Sequence, residues 1–241
     1  MHTTIAGLDV TVFQGAAGPP SAAVILCHGF GAPGDDLVGL APELVRASPA
    51  LASVRFYFPA APLELSGFGF GDSRAWWMID LAQLQRLQAQ GAEAVREFRR
   101  VEPEGLPAAR RALHALVQEV ADQTGLPMQR VLLGGFSQGA MLATDVALRL
   151  EEAPGGLVIL SGTLLLEDTW RAKAKARAGL PVFQSHGRQD PILAFGAAEA
   201  LRDLWQEAGA TLEFVPFDGG HSIGPDAFGR LCDFLTRQVT R

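Results

Sequence analysis

Three residues of this chain have the types and the order that acyl-transfer chemistry needs: Ser137, Asp190 and His221. A serine hydroxyl is a poor nucleophile until a base removes its proton, and a base works best when a third group holds its ring in one tautomer. Ser137 lies in Gly135-Phe136-Ser137-Gln138-Gly139, a G-x-S-x-G string. A glycine-rich chain meets that pattern by chance often enough that its surroundings must decide. Here the strand-like RVLL runs straight into it and the helical pattern AMLATDVALRL runs straight out. That context is a nucleophile elbow, a strained turn that lifts a serine hydroxyl to the end of a strand. The competing reading is a serine N-cap on an ordinary strand-to-helix turn. Gly135 and Gly139 fit the elbow because a Cβ there would strike the adjoining strand or helix.

Of the five histidines, His2 is terminal, His114 falls in a helical pattern, and His186 precedes the acid loop, where hydrogen bonding within the loop suits it. His221, in DGGHS after the last strand and before the last helix, completes the chain order Ser, acid, His. Asp190, in SHGRQDPI, is expected as the acid, accepting from His221 Nδ1–H. Asp218 competes, but it shares the loop of His221, and a triad draws its acid from a separate strand end. An oxyanion would need two backbone donors. The Gln138 N–H at the helix start supplies one, and the Phe30 N–H in His28-Gly29-Phe30-Gly31 supplies the other. His28 reads as a hydrogen-bonding residue of that loop.

These residues have to be carried by a scaffold. Strand-like runs recur at 8–13, 22–28, 53–59, 130–135, 157–162, 181–187 and 212–217, several of them apolar with little alternation, as in a parallel sheet covered on both faces. The first alternates and could be an antiparallel edge. Helical patterns are expected at 35–47, starting at Asp35 and Asp36 as N-caps, and at about 80–100, 107–124, 137–151, 194–208 and 225–239. The alternation predicts an α/β class: one domain over 1–241, a mostly parallel sheet flanked by helices on both faces. An apolar segment and a helix at about 59–105 interrupt the rhythm on the substrate side. Phe70, Trp76 and Trp77 in that segment are expected to contact substrate, although a packed side-layer would account for the same apolar residues.

Bulk properties narrow the partners. There are 26 acidic and 20 basic residues, a formal charge of −6, and no basic run, so nucleic acid is not an expected partner. No stretch reaches membrane-span length and the N-terminal residues lack signal-peptide character, so the expected compartment is the cytoplasm. Cys27 and Cys232 read as small buried apolar groups, and no Cys/His spacing suggests a metal. Neither metal nor cofactor is expected. The apolar residues at 63–79 could equally make a homodimer face, and no pattern in the sequence decides the oligomeric state.

The strings LCHGFGAPGDDL, GGFSQGAM, SHGRQDPI and GGHSI, in this order across most of the chain, resemble the phospholipase/carboxylesterase family, which includes acyl-protein thioesterases and small bacterial carboxylesterases. The resemblance implies an α/β-hydrolase fold, no cofactor, catalytic residues at Ser137, Asp190 and His221, and oxyanion donors at Phe30 and Gln138. The Gly/Phe-rich sequence around Trp76 and the long helical stretch at 80–105 depart from the acyl-protein thioesterase branch, so the expected activity is that of a serine carboxylesterase. A thioesterase or lysophospholipase is the alternative, using the same machinery with another leaving group. From another class comes a non-catalytic binding protein on the same fold, whose signature would be an incomplete triad.

Overall fold

The computed structural model describes residues 1–69 and 71–240. The chain opens with β1 (His2–Ile5) and β2 (Leu8–Gln14), an antiparallel pair, followed by β3 (Ala22–Cys27), α1 (Leu40–Ala47) and β4 (Val54–Pro59). A small ribbon, β5 (Leu63–Glu64) with β6 (Arg74–Ala75), leads into α2 (Leu81–Gln90), α3 (Ala92–Arg100) and α4 (Leu106–Thr124). From there strand and helix alternate: β7 (Val131–Phe136), α5 (Gln138–Ala147), β8 (Gly156–Leu160), α6 (Glu167–Ala174), β9 (Pro181–Gly187), α7 (Phe195–Glu207), β10 (Thr211–Phe217) and α8 (Pro225–Val239).

The main sheet runs β1-β2-β4-β3-β7-β8-β9-β10, parallel from β4 to β10 and antiparallel at β1 and β2. Period-two alternation divides the core. Ala23, Ile25 and Cys27 of β3 face a layer with α4, α5, α6 and α7, while Ala22, Val24 and Leu26 face α1 and α8. This is the α/β-hydrolase architecture, a mostly parallel sheet with helices on both faces. Strand β3 pairs with β4 on one side and β7 on the other, so the chain reverses its direction of advance there. At such a switch point the loops leaving neighbouring strands diverge and open a crevice at their carboxyl ends. Residues 28–31 and Ser137 sit at that place because Cys27 is in register with Gly135.

Four expectations need correction. The edge is β1, not the 8–13 strand; His2–Ile5 is polar at its first three positions and too short to signal itself. Helix α1 starts at Leu40, not at Asp35 and Asp36. Pro42 has no N–H to give the Val38 carbonyl, so residues 34–39 are instead a series of tight turns, with Asp36 N–H to Pro33 O and Val38 N–H to Asp35 O. The helix expected at 80–100 breaks at Gly91, whose φ of 101° lies in the left-handed region. Helix α6 was not anticipated, although Glu167 and Asp168 in its first turn and Arg171 and Lys173 in its last match the helix dipole. No helix among the described residues is long and apolar enough to cross a membrane.

Candidate active site

Ser137 stands between β7 and α5 with φ 53° and ψ −117°, a conformation that a non-glycine residue holds only when its surroundings enforce it. The enforcement is visible on both sides. Ser137 N–H donates to Leu160 O at 2.8 Å, tying the turn to the end of β8. A Cβ on Gly135 would collide with the Cys27 carbonyl oxygen and the Gly139 backbone, and one on Gly139 with the Cys27 and His28 carbonyls. The N-cap alternative is unsupported, since the Ser137 side chain makes no capping hydrogen bond to α5.

Asp190 and His221 meet across two loops. His221 Nδ1 donates to Asp190 Oδ2 at 2.6 Å, and the other carboxylate oxygen accepts from the backbone N–H groups of Ile192 and Leu193, both at 2.8 Å. The loops interlock at backbone level: Gln189 N–H donates to Gly219 O at 3.0 Å, and Gly187 packs so closely on the Gly219 and Gly220 carbonyls that no side chain fits there. Ser161 Oγ donates to Ser222 O at 3.0 Å, anchoring the His221 loop to the end of β8. The His221 ring lies 4.8 Å, between centroids, from that of Phe136, the residue before Ser137. Asp218 pairs with Arg188 at 3.8 Å on an exposed part of the loop.

Burial alone would raise the Asp190 pKa, but hydrogen bonds from His186, His221 and the Leu193 backbone outweigh it and hold the carboxyl far below the ordinary range. His186 is the residue that sequence reasoning assigned to the loop alone. It does donate through Nε2 to Leu193 O at 2.8 Å, and the same nitrogen lies 3.2 Å from Asp190 Oδ2.

The 28–31 loop is braced from below. His28 Nδ1 donates to Gly29 O at 2.8 Å, and its Nε2 accepts from Ala61 N–H at 3.0 Å, which requires the neutral ring. Burial lowers its pKa accordingly. Gly31 N–H donates to Arg74 O, and Arg74 N–H to Ala32 O, each at 2.9 Å, joining the loop to β6. Among the described residues the Phe30 and Gln138 N–H groups have no backbone carbonyl to donate to. Both are thus available to a ligand at the start of α5.

Gln138 does more than its position suggested. Its buried side-chain amide accepts from Trp76 N–H at 2.9 Å and donates to Trp77 O at 2.8 Å, clamping the 74–79 segment over the elbow. Trp76 is buried, with its indole N–H on His28 O at 3.0 Å and its ring 5.7 Å from that of His28. It braces the 28–31 loop and is absent from the cleft lining. Trp77 does line the cleft, a cavity of about 420 Å³ walled also by Met78, Met141, Leu165 and Leu193. Phe70 lies outside the described residues. Met141 was legible in principle, because it is one helical turn beyond Ser137 and so shares its face. Leu165 and Leu193 were not, since they come from loops of no regular period.

The phospholipase/carboxylesterase family matches residues 9–239. Acyl-protein thioesterase 1 of Eremothecium gossypii is 33% identical over 223 residues, covering 91% of this chain and 88% of the relative. Acyl-protein thioesterase 1 of Kluyveromyces lactis is 32% identical over 230 residues, covering 92% and 94%. Among solved structures, esterase PE8 superposes with a TM-score of 0.78 at 26% identity over 95% of this chain and 98% of its own. A carboxylesterase from Mesorhizobium loti gives 0.73 at 21% identity over 97% and 96%, a likeness that speaks to the fold. Matched over nearly its whole length, the chain belongs to the phospholipase/carboxylesterase family of α/β-hydrolases.

Proposed function

We propose that the chain is a serine carboxylesterase that hydrolyses carboxylic esters through an acyl-enzyme on Ser137. The observation that carries this reading is the 2.6 Å contact from His221 Nδ1 to Asp190 Oδ2. With Nδ1 committed there, Nε2 is the ring nitrogen left to take the Ser137 proton. Ser137 Oγ attacks the ester carbonyl as its proton passes to His221 Nε2, and the oxyanion is held by the Phe30 and Gln138 N–H groups. The bond to the leaving alkoxide breaks as His221 returns the proton to it. Water repeats the sequence on the acyl-enzyme, releasing the acid and restoring Ser137. Asp190 stays ionised throughout, stabilising the imidazolium that forms in each step.

A thioesterase or lysophospholipase is the second reading, favoured by the acyl-protein thioesterases among the relatives. The acyl half of its reaction is the same, and only the leaving group differs.

The test is covalent labelling of wild type and Ser137→Ala by a fluorophosphonate probe, with hydrolysis of p-nitrophenyl esters from C2 to C12 and of matched thioesters. Labelling of wild type alone, with turnover falling by roughly 10⁴–10⁶-fold in Ser137→Ala, supports the mechanism. The ester-to-thioester ratio then separates the two readings. A folded wild type that does not label would turn the assignment to a non-catalytic binding protein.

A further inference from the structure

The cleft walled by Trp77 and Met141, one helical turn beyond Ser137, is apolar over most of its wall, yet Arg99 is among the residues that line it. The Nε and Nη1 atoms of Arg99 are buried and have no hydrogen-bond partner. An unpaired, partly buried cation is costly, so a ligand that brings it a negative charge would be favoured. The residue is also held in place: the Arg99 carbonyl accepts from Leu166 N–H at 2.7 Å, docking the end of α3 against the start of α6.

The charge around it is unbalanced in one direction. Glu167 is the carboxylate nearest in effect, but its oxygens are taken by Arg96 and Arg171, each at 3.4 Å. Arg171 has a second partner in Glu207, whereas Nε and Nη1 of Arg99 have no carboxylate partner among the described residues. The acids that line the same cleft, Asp80, Glu102 and Glu104, are exposed at its rim. Two of them are already paired, Asp80 with Arg86 at 3.7 Å and Glu102 with Arg110. The rim is therefore acidic and screened by solvent, while the unmatched cation lies within.

We propose that Arg99 determines specificity and that the cleft takes an acyl chain ending in a carboxylate, so that the substrates are half-esters or half-thioesters of dicarboxylic acids. The methylenes of such a chain would lie against Trp77, Met141 and Leu193, and its far carboxylate would pair with the Arg99 guanidinium, the planar cation that suits a carboxylate. This rests on the acyl-enzyme reading above and names the class of acyl group for that same site.

The experiment compares mono-p-nitrophenyl suberate with p-nitrophenyl octanoate, equal in carbon number, in wild type, Arg99→Met and Arg99→Lys. Wild type is expected to favour the suberate ester. Arg99→Met should lower kcat/KM for that ester by about 10–100-fold, mainly through KM, with far less effect on the octanoate. Arg99→Lys should keep part of the preference, because the charge remains while the planar guanidinium is lost. Wild type without a preference, or an equal response of both esters to Arg99→Met, overturns the inference. So does a preference that appears only when the carboxylate is moved to the alcohol part. Fluorophosphonate labelling of each variant separates the failures. Labelling without discrimination defeats the Arg99 assignment alone, whereas no labelling of wild type defeats the acyl-enzyme reading as well.

Discussion

Two histidines converge on Asp190, and their other nitrogens set them apart. His186 Nδ1 is buried without a partner, so its proton sits on Nε2, where Leu193 O accepts it. His221 spends Nδ1 on the carboxylate and keeps Nε2 for chemistry. Neither the 2.6 Å contact nor the shared carboxylate is written in SHGRQDPI or GGHSI. What those strings do supply is residue type and order, which is why Asp190 could be preferred to Asp218 from topology alone. His28 and Asp190 give a pH prediction with a definite sign. Both have native pKa values below their ordinary ones, so in each case the unfolded chain binds the extra proton first and stability is lost as pH falls. For His28 the loss begins below about pH 6.5 and ends once pH passes its lowered native value; for Asp190 it begins below about pH 4. Thermal midpoints measured from pH 8 to pH 3 should therefore fall in two stages. His28→Gln should flatten the upper stage and leave the lower one. An unchanged slope between pH 7 and 5 in that variant would show that His28 does not set it.

At the level of elements, the site is an agreement between α5 and the 74–79 segment, made through one side chain. Replacing Gln138 by Met keeps the backbone N–H at the helix start but strips Trp76 N–H and Trp77 O of their partners. Orphaning two buried backbone groups should cost about 2–4 kcal/mol. Because Trp76 also carries the His28 carbonyl, the 28–31 loop should loosen with it. The expected result is a kcat at least about tenfold lower with KM changed less, together with a lower midpoint in urea. Full kcat in a destabilised Gln138→Met variant would mean that the clamp is purely structural. Legibility varies at this scale for physical reasons. Strands buried on both faces announce themselves by largely apolar runs, and the 22–27, 54–59 and 131–136 strands fall where those runs are. Position 42 shows the limit: capping residues at 35 and 36 were visible, but the missing N–H of Pro42 had the stronger vote on where α1 begins. In 59–80 the two tryptophans could not be told apart by composition, and only the fold sends Trp76 under the loop and Trp77 into the cleft.

Across the whole molecule, the helical layer beneath the cleft is held together by one buried acid. Asp145 of α5 is fully enclosed and takes the Arg110 guanidinium from α4, Arg149 at 3.1 Å from beyond its own helix end, and the Trp170 indole N–H from α6 at 2.9 Å. Three helices thus depend on one carboxylate, and of the cleft walls Met141 stands on α5 and Leu165 on the loop that leads into α6. A buried charge of this kind contributes less than its contacts suggest, since desolvation offsets most of the attraction. Its removal is another matter, because the buried indole N–H would lose its acceptor and Arg110 would keep only Glu102. Asp145→Ala should therefore lower the unfolding free energy by about 3–5 kcal/mol in urea denaturation. Arg110→Met in the same background should recover part of that loss, since the orphaned cation goes with it, so the double variant should be more stable than the two single losses summed. Simple additivity would mean that Arg110 is already satisfied by Glu102 and solvent, and that Asp145 matters to the layer through Trp170 and Arg149.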